Sequence, residues 1–555
     1  MADKLRVIPL GGLGEIGKNM MVFELGEDLI IVDVGLMFPE EEMLGVDLVI
    51  PDISYVANRI KKLRGIIITH GHEDHTGALP YILPRLCLPN GKSPPIYCTR
   101  LTHGLVSVKL QEHGLLKDAD LRLIQTGESL HLGKFQVEFV RVTHSIPDSA
   151  GLAIRTPIGN IFHTGDFKLD HTPVMGEPTD LSRIAELGRQ GVLLMLSDST
   201  YAETPGYTAS EYIIGDALEH IMAHSPGRVI VATFASLISR VQQVIDASHA
   251  TGRHVFTTGR SMMNNAKMAL KQKYLETQED ILVPLERMRG MPLDQITIIT
   301  TGAQGEPTSA LVRMANRDHR HIEIQDGDTV ILSSSPIPGN ELLINRTIDN
   351  LYRLGARVLH SGIANVHVHG HAAQEELKVM LSLVQPHYFM PVHGEYRNLV
   401  MHAGLARSMG VEEENTFVLE DGDILEIDRR GAKVVGRVPA DYVYVDGLAV
   451  GVDRVVLRDR RHLATDGVIV AIVTIDKHTG KPIGRADVVS RGFIEEEMSE
   501  SLMERAGEVI LASLAGAEHV AERSDFNVRV HDALSRFLYD ETRRHPMVLP
   551  LCIEV

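Results

Sequence analysis

Several features that define whole classes of protein are missing from this chain of 555 residues. It has no tryptophan and only three cysteines, Cys87, Cys98 and Cys552, which stand in no paired spacing. This scarcity excludes a disulfide framework and a cysteine-based zinc site. No run approaches the roughly 18 apolar residues that a membrane helix needs, and the first ten residues carry no secretory signal. We therefore predict a cytoplasmic protein that does not associate with membranes.

Basic charge is also in deficit. The chain has 55 Lys and Arg against 73 Asp and Glu, a net charge of −18. This balance argues against a uniformly positive surface that grips long nucleic acid, although a local basic groove remains compatible with it. The basic residues of the middle region that could line such a groove are Arg240, Arg253, Arg260, Lys267, Lys271 and Lys273. Histidine, by contrast, is abundant, with 27 residues concentrated in a few short segments.

Hydrophobic patterning divides the chain into regions of different architecture. The first 170 residues alternate short β-type runs with turns, which predicts a sheet-rich α/β domain. From Val192 onwards strands alternate with longer helical stretches, such as a strand at 229–233 and a helix at 236–251. This alternation predicts a parallel sheet with crossover helices. The last hundred residues predict strands at 467–475 and 487–489 and helices around 497–514 and 528–543.

A glycine cluster near the N-terminus imitates two nucleotide-binding motifs. Gly12, Gly14 and Gly17 match G-x-G-x-x-G, and residues 12–18 form a P-loop that lacks its Ser or Thr because Asn19 follows Lys18. Both motifs require a helix next, to hold phosphate at its N-terminus. The following residues instead predict a β-hairpin, so we interpret the cluster as a tight turn between strands.

The strongest chemical signal is a histidine motif that follows a buried-type strand at 65–69. His70, His72, Asp74 and His75 form His-x-His-x-Asp-His. Two histidines at i and i+2 in an extended loop project to one side and can share a metal ion, while Asp74 and His75 can reach a second. Imidazole and carboxylate ligands without thiolate suit zinc or manganese in a hydrolytic site. The alternative interpretation is a group of surface histidines on a loop.

Three further candidate ligands stand at strand-to-loop junctions: His144, Asp166 and His393. In this order, and with Asp33 at the end of an earlier strand, the residues resemble the motifs of the metallo-β-lactamase superfamily. The resemblance implies that His70, His72 and His144 hold one metal ion, that Asp74, His75 and His393 hold the other, and that Asp166 bridges them. It implies two Zn²⁺ per subunit, with Mn²⁺ or Mg²⁺ as alternatives. Two such ions stabilise charge on a phosphoryl group and activate water, which favours hydrolysis.

About 200 residues separate Asp166 from His393, and this region resembles the β-CASP insert of nucleases at Asp198, His371 and His393. Segments 12–19, 259–264, 302–307 and 333–341 resemble bacterial ribonuclease J more specifically. The implied α/β fold is a metallo-β-lactamase αββα sandwich at 1–205 and 364–435 with a parallel β-CASP insert at 206–363. A linker at 436–453 and a small α+β C-terminal domain at 454–555 complete it.

The same resemblance assigns further site residues. It implies that His371 protonates the departing 3′ oxygen and that Asp198 orients it. It places RNA phosphates at Phe234, Ala235 and Ser236 and at His367, Val368, His369, Gly370 and His371. Leu237 and His369 depart from many relatives, which have asparagine and serine there. Finally, it implies a structural calcium ion between Asp47 and Asp446.

The sequence therefore predicts a ribonuclease that acts on single-stranded RNA. The resemblance implies internal cleavage and 5′→3′ exonucleolysis that favours 5′-monophosphorylated ends, in the maturation and decay of rRNA and mRNA. It also implies a homodimer or homotetramer and partners in an RNA-decay complex. The alternatives are a β-CASP nuclease acting on DNA, a small-molecule hydrolase of the same superfamily, and a non-catalytic RNA-binding scaffold.

Overall fold

The computed structural model describes residues 4–40, 43–88, 91–278, 281–337, 339–447, 449–494, 496–515 and 523–555. The chain forms two compact units. One comprises Met1–Phe38 and Val49–Val443, and the other comprises Pro39–Leu48 and Tyr444–Val555. The division after Val443 falls inside the segment predicted as a linker, whereas the other domain boundaries stay predictions. Among the described residues, no helix is long and apolar enough to cross a membrane.

The first unit contains two large sheets that pack face to face. One has eight strands in the order Gly431–Arg437, Asp423–Asp428, Leu5–Gly11, Met20–Leu25, Asp28–Val32, Leu63–Ile67, Pro95–Cys98 and Asp120–Leu123. The other has six, in the order Tyr388–Val392, Leu194–Asp198, Asn160–His163, Ala150–Arg155, Phe135–Arg141 and Ser129–Leu132.

The core lies between these two sheets. Phe23 and Ile67 from the larger sheet share one cluster of fully buried side chains with Phe139, Leu196 and Met390 from the smaller sheet. The outer face of the smaller sheet is covered by the helices Leu181–Gln190, Gln374–Val384 and Tyr396–Ser408. Such cover explains why its strand Leu194–Asp198 is buried on both faces. The predicted sandwich is confirmed.

The predicted parallel sheet is also confirmed. Its five strands lie in the order His254–Thr257, Ile296–Thr300, Val229–Ala232, Thr329–Leu332 and Arg357–His360, and all neighbouring pairs are parallel. The helices on one face are Tyr212–Ala223, Ile238–Ala250 and Arg260–Lys271. The helices on the other are Ala310–Ala315 and Glu341–Arg353. Helices on both faces bury the three inner strands completely, as crossover connections require.

The glycine cluster is followed by strands, as predicted. Met20–Leu25 and Asp28–Val32 pair as an antiparallel hairpin, with Leu25 opposite Asp28. No helix begins after Gly17 within the described residues 4–40, so the cluster has no helix N-terminus for a phosphate.

The remaining elements of this unit are short, except for one helix that the sequence pattern did not predict. That helix is Arg100–Glu112. The short helical turns are Ser54–Ala57, Ile60–Lys62, Glu73–Thr76, Leu79–Ile82, Leu83–Arg85, Leu285–Met288, Leu293–Gln295 and Glu413–Asn415. The strands Leu13–Gly14 and Gly394–Glu395 pair in parallel. Leu48–Ile50 and Val443–Asp446 are strands at the division between the units.

The second unit is an α+β layer. Its strand Val468–Ile475 lies between Asp487–Arg491, antiparallel, and Met547–Glu554, parallel. Alternate residues of the central strand are buried against the helices Glu496–Leu514 and Arg523–Thr542. Arg454–Asp466 is a further helix, and Ala449–Val450 pairs with the end of Val443–Asp446. The sequence pattern did not predict Met547–Glu554, because Pro550 interrupts it; an edge strand tolerates proline.

Candidate metal centre

Strand ends from both sheets of the sandwich carry the predicted ligands. Asp198 ends a strand that pairs in parallel with the strands that precede Asp166 and His393. His70 follows the strand Leu63–Ile67 in the other sheet, and Asp33 follows its parallel neighbour. Parallel strands end at the same edge, so residues far apart in sequence meet there. The cavity at this edge is lined by Asp33, His75, Asp166, Asp198 and His393, among others.

Three histidines form what we call the first triad: His70, His72 and His144. The Nδ1 atom of His72 lies 3.1 Å from Nε2 of His70 and 3.2 Å from Nε2 of His144. All three ligand atoms lie within 4.8 Å of one another. The Nδ1–H of His144 donates to the carbonyl of Gly370 at 2.7 Å, which leaves the Nε2 lone pair facing the other two rings. Such converging lone pairs suit a cation.

Asp74, His75 and His393 form the second triad. Nε2 of His75 lies 3.4 Å from the Asp74 carboxylate, and Nε2 of His393 lies 3.7 Å from it. Nδ1 of His75 lies 2.8 Å from Asp33, which orients the ring so that its Nε2 faces Asp74 and Asp166. Asp33 itself adopts a left-handed conformation, with φ 61°, which costs energy in a residue other than glycine.

Asp166 stands between the two triads. Its Oδ2 atom lies 3.7 Å from Nε2 of His70 and 3.9 Å from that of His144. The same oxygen lies 3.1 Å from Nε2 of His75 and 3.3 Å from that of His393. One carboxylate oxygen therefore reaches both groups of ligands, which is the geometry of a bridging ligand. The imidazole and carboxylate donors of both triads fit zinc or manganese.

The electrostatics of the two triads differ. Burial lowers the pKa of His70 and His144 well below the usual value and that of His72 to about 4. Burial opposes protonation of His75 and His393 as well, but the neighbouring carboxylates, Asp166 foremost, together outweigh it and raise both pKa values, to about 9 for His393. The surroundings of the first triad therefore favour neutral imidazoles, whereas the carboxylates around the second triad favour protonated ones.

His371 and Asp198 form a hydrogen-bonded pair beside Asp166. Nδ1 of His371 lies 2.8 Å from Oδ2 of Asp198 and 4.0 Å from Oδ2 of Asp166. The other oxygen of Asp198 accepts from the backbone N–H and hydroxyl of Thr200 at 3.0 and 2.8 Å. Burial would lower the pKa of His371, but Asp198 raises it overall. Asp198 thus both stabilises the following turn and faces the imidazole.

The two predicted phosphate segments border one hydrophobic core. Phe234, Ala235 and Ser236 connect the strand Val229–Ala232 to the helix Ile238–Ala250, while 367–371 follow the strand Arg357–His360. The Nδ1 atoms of His367 and His369 are buried and have no hydrogen-bond partner in the part of the chain that the structure describes. Burial lowers the pKa of His369 to about 4. Its ring stacks on Tyr201, with centroids 3.6 Å apart.

Two of the arginines predicted to line a groove are buried. Arg240 has no exposed surface; it pairs with Glu211 at 2.5 Å and donates to the carbonyl of Val366 at 2.8 Å. Arg253 is 3 % exposed and donates to four backbone carbonyls. For these two residues the prediction is wrong, because amphipathic spacing alone does not show that an arginine has internal acceptors.

The predicted calcium residues lie in the second unit, away from the histidines in sequence. Asp47 accepts the backbone N–H of Gly447 at 2.7 Å, and Asp446 pairs with Arg460 at 2.5 Å. Calcium binding there stays a prediction.

The sequence interpretation missed residues that orient the ligands. Thr69 donates through its hydroxyl to Asp33, which in turn accepts from His75. Asn19 lies against Asp74 and His75. Only their positions in the sequence could have indicated this role, since Thr69 directly precedes His70 and Asn19 ends the glycine cluster.

Comparison with known proteins gives four matching family models. They are the metallo-beta-lactamase superfamily at residues 13–230, the ribonuclease J beta-CASP domain at 226–351, the Zn-dependent metallo-hydrolase RNA specificity domain at 356–418 and the ribonuclease J C-terminal domain at 455–555. The predicted metal ligands, Asp198 and the segment 367–371 fall within the first or the third of these matches, and the segment 234–236 falls within the second.

Similar whole proteins cover the full chain. Ribonuclease J of Thermus thermophilus is 44 % identical, over 100 % of this chain and 96 % of the relative. Ribonuclease J2 of Bacillus subtilis is 41 % identical, over 100 % and 99 %. A crystal structure of a protein of unknown function from Enterococcus faecalis shares the fold, with a TM-score of 0.54 and 17 % identity over 77 % of this chain and 100 % of that one.

Proposed function

Because the chain belongs to the ribonuclease J family, we propose that it is a two-metal enzyme that hydrolyses single-stranded RNA to leave a 5′-phosphate and a 3′-hydroxyl. Its family and its metallo-β-lactamase fold make it a metal-dependent ribonuclease. The finer proposal is that it combines internal cleavage with 5′→3′ exonucleolysis.

One observation carries the two-metal proposal. A single oxygen of Asp166 lies within 4.0 Å of histidine nitrogens from both triads. Seven predicted ligands from four separate segments of the chain therefore lie around two adjacent positions. We assign His70, His72 and His144 to one ion, Asp74, His75 and His393 to the other, and Asp166 to both. Zinc fits this donor set, with manganese or magnesium as alternatives.

The residues of the chain divide the work of hydrolysis. Bound metal ions would supply Lewis acidity to the phosphodiester and to water. Asp33 and Gly370 orient the ligands His75 and His144 through the rings' second nitrogens. His371 is the general acid for the departing 3′ oxygen, since Asp198 holds its Nδ1 and raises its pKa. Its Nε2 is then the atom that delivers the proton.

The RNA backbone would be held by the two segments around 234–236 and 367–371. Backbone N–H groups, the Ser236 hydroxyl and imidazole N–H groups are the donors that phosphate accepts from. The unpartnered Nδ1 atoms of His367 and His369 support this assignment. Since the pKa of His369 is lowered to about 4, we propose that it acts as a neutral donor at physiological pH.

Matched oligonucleotides test the proposal. The metal-loaded protein is incubated with one RNA sequence that carries a 5′-monophosphate or a 5′-triphosphate, and with the same sequence as DNA. Mononucleotides released preferentially from monophosphorylated RNA support 5′→3′ exonucleolysis, and internal fragments support endonucleolysis. Cleavage of DNA alone would indicate a DNA-directed nuclease, and no cleavage of either substrate would favour the scaffold.

We also propose that the second unit supports a homodimer or homotetramer. Its edge strand Met547–Glu554 exposes Leu549, Leu551 and Ile553, each about half accessible. Light scattering on the full chain and on a variant with glutamate at these three positions tests this. A monomer in both would contradict it.

A further inference from the structure

The glycine cluster at residues 12–19 is packed directly beneath the second triad. Gly12, Gly14 and Gly17 have positive φ values of 92°, 79° and 118°, so the segment folds back on itself. Its strand Leu13–Gly14 pairs in parallel with Gly394–Glu395, which directly follow the ligand His393. The cluster that resembled a phosphate-binding loop therefore borders the metal centre.

A buried ion cluster holds this segment in place. The ammonium of Lys18 has no exposed surface and lies 3.0 Å from Glu15 and 3.1 Å from Asp421. Glu15 accepts the backbone N–H of Gly12, and Asp421 accepts that of Leu13, both at 3.2 Å. The lysine that would hold a nucleotide phosphate in a P-loop is thus turned into the protein and used structurally.

Asn19 extends from this anchored segment to the second triad. Its Nδ2 lies 3.1 Å from the backbone oxygen of Asp74, 3.4 Å from the carboxylate Oδ2 of Asp74 and 3.2 Å from Nε2 of His75. Its own backbone N–H donates to the carbonyl of Asp74 at 3.0 Å. The hydrogen bonds of Asn19 among the described residues include none to the first triad.

The opposite side of the Asn19 carboxamide is packed against Gly12. A Cβ atom added to Gly12 would lie 2.2 Å from Oδ1 of Asn19. The oxygen therefore faces the glycine and the N–H₂ group faces Asp74, so only a residue without a side chain at position 12 leaves the amide in this orientation.

We propose that Asn19 is a positioning residue for the second metal ion alone, and that Gly12 in the glycine cluster leaves the space that its carboxamide needs there. The donor group of Asn19 holds the Asp74 carboxylate and the Asp74 backbone in the geometry that the ion needs. This inference rests on the proposed two-metal function. It assigns a role to a motif that otherwise suggests nucleotide binding.

Zinc binding in the absence of RNA tests the inference. The metal-free protein is titrated with zinc against a chromogenic chelator, which resolves a tighter and a weaker site. Loss of an outer hydrogen bond to a metal ligand weakens affinity by about 10–100-fold. We expect Asn19→Ala to weaken one of the two zinc sites by that factor and to leave the other unchanged.

A second variant separates positioning from direct ligation. Asn19→Asp removes the N–H donor and places a carboxylate beside that of Asp74. The positioning role predicts that this variant also binds the second zinc more weakly. Equal or tighter binding would overturn it, because it would mean that residue 19 acts as a ligand through its oxygen.

Two glycines provide a matched pair that leaves Asn19 itself intact. Gly12→Ala should weaken the same zinc site, because its methyl group displaces the carboxamide. Gly14→Ala has the same backbone strain, with φ 79°, but nothing lies within 4 Å of its Cβ position, so both zinc affinities should be retained. Asn160→Ala is a further control, since the side-chain amide of Asn160 donates to the carbonyl of Gly191.

Thermal unfolding of each metal-free variant identifies any variant that fails to fold. If Asn19→Ala does not fold, Gly12→Ala tests the same zinc site independently. Two unchanged zinc sites in folded Asn19→Ala would overturn the inference. A wild-type protein that binds fewer than two zinc ions would instead overturn the two-metal function, so the two failures are distinguishable.

Discussion

The two triads share Asp166, yet their chemistry and their support differ. The first consists of imidazoles only, and its residue His144 is held by the carbonyl of Gly370. The second includes the Asp74 carboxylate, and its residue His75 is held by the Asp33 carboxylate. Gly370 belongs to the segment that follows the parallel sheet, whereas Asn19 and Asp33 flank the first hairpin. Each triad thus depends on a different part of the chain.

This difference shows how one centre can bind metal and position a substrate. A neutral all-histidine group offers lone pairs without first losing protons. Gly370, whose carbonyl contacts His144 of this triad, lies in the proposed phosphate segment. A phosphate bound to that segment would therefore have a fixed position relative to the first triad. The Asp74 carboxylate of the second triad would compensate part of the charge of an ion bound there. Substitutions near the first triad and substitutions near the second triad should therefore have separate effects on metal binding and on RNA cleavage.

The largest effect should come from the residue that the triads share. Asp166→Ala removes the oxygen that faces four of the five histidines of the triads and leaves their nitrogens without a common anion. We expect zinc binding to weaken at both triads and RNA cleavage to become undetectable. Metal analysis and a fluorescent RNA assay measure these quantities. Retention of one fully occupied site would contradict the bridging role.

His371 lies beside both triads, and its loss should affect the chemistry without affecting either ion. Its ring centroid lies 4.9 Å from that of His144 and 5.4 Å from that of His393. Removal of a general acid costs about 10²–10⁴-fold in rate. We expect His371→Ala to lose cleavage by that factor and to keep both zinc ions. Asp198→Asn should lose less, because the imidazole remains, and an intact rate in His371→Ala would remove it from the mechanism.

Arg240 supports the side of the first triad through the segment that contains Gly370. It pairs with buried Glu211 and donates to Val366, one residue before His367. Arg240→Met leaves the Glu211 carboxylate buried without this partner, which typically costs about 3–5 kcal/mol. We expect a loss of that size in the free energy of unfolding, measured by denaturant titration. Arg346→Met, at an exposed position on Glu341–Arg353, is the control and should have little effect.

On the side of the second triad, the titration of Asp421 should make the stability of the folded protein depend slightly on pH. Burial and the neighbouring Glu15 raise the pKa of Asp421 to about 7, above the ordinary value of 3.8, despite the opposing charge of Lys18. The folded protein therefore favours the protonated form. That contribution to stability is complete below the unfolded pKa and is lost as the pH rises through about 7.

Asp421→Asn copies the neutral carboxyl group and should not show this loss. We expect the melting temperature of the variant to rise relative to that of the wild type between pH 5 and pH 8. Asp428→Asn is the control, since Arg430 lowers the pKa of Asp428 and no titration occurs in this range. A constant difference between Asp421→Asn and the wild type across the range would contradict the prediction.

Much of the fold could be predicted because its signals are local. The strand before His70 and the alternation of strands and helices in the middle region depend on the apolar spacing of neighbouring residues. The edge strand Met547–Glu554 could not be predicted in this way, because its pairing with Val468–Ile475 depends on a segment about eighty positions away. Arg240 was misassigned for the same reason, since Glu211 and Val366 become its neighbours only after folding.

Residue types and their order along the chain were enough to identify which residues could bind metal. His-x-His-x-Asp-His, together with His144, Asp166 and His393 at strand ends, identifies a ligand set by residue type and order. The family resemblance also implied how these residues divide between two ions, whereas the contacts that hold them in place became visible only in the folded structure. The contact of Asn19 with Asp74, the inward turn of Lys18 and the approach of Asp166 to four histidines depend on distances between segments. Such distances are set when sheets pack together, and residue spacing along the chain does not encode them directly.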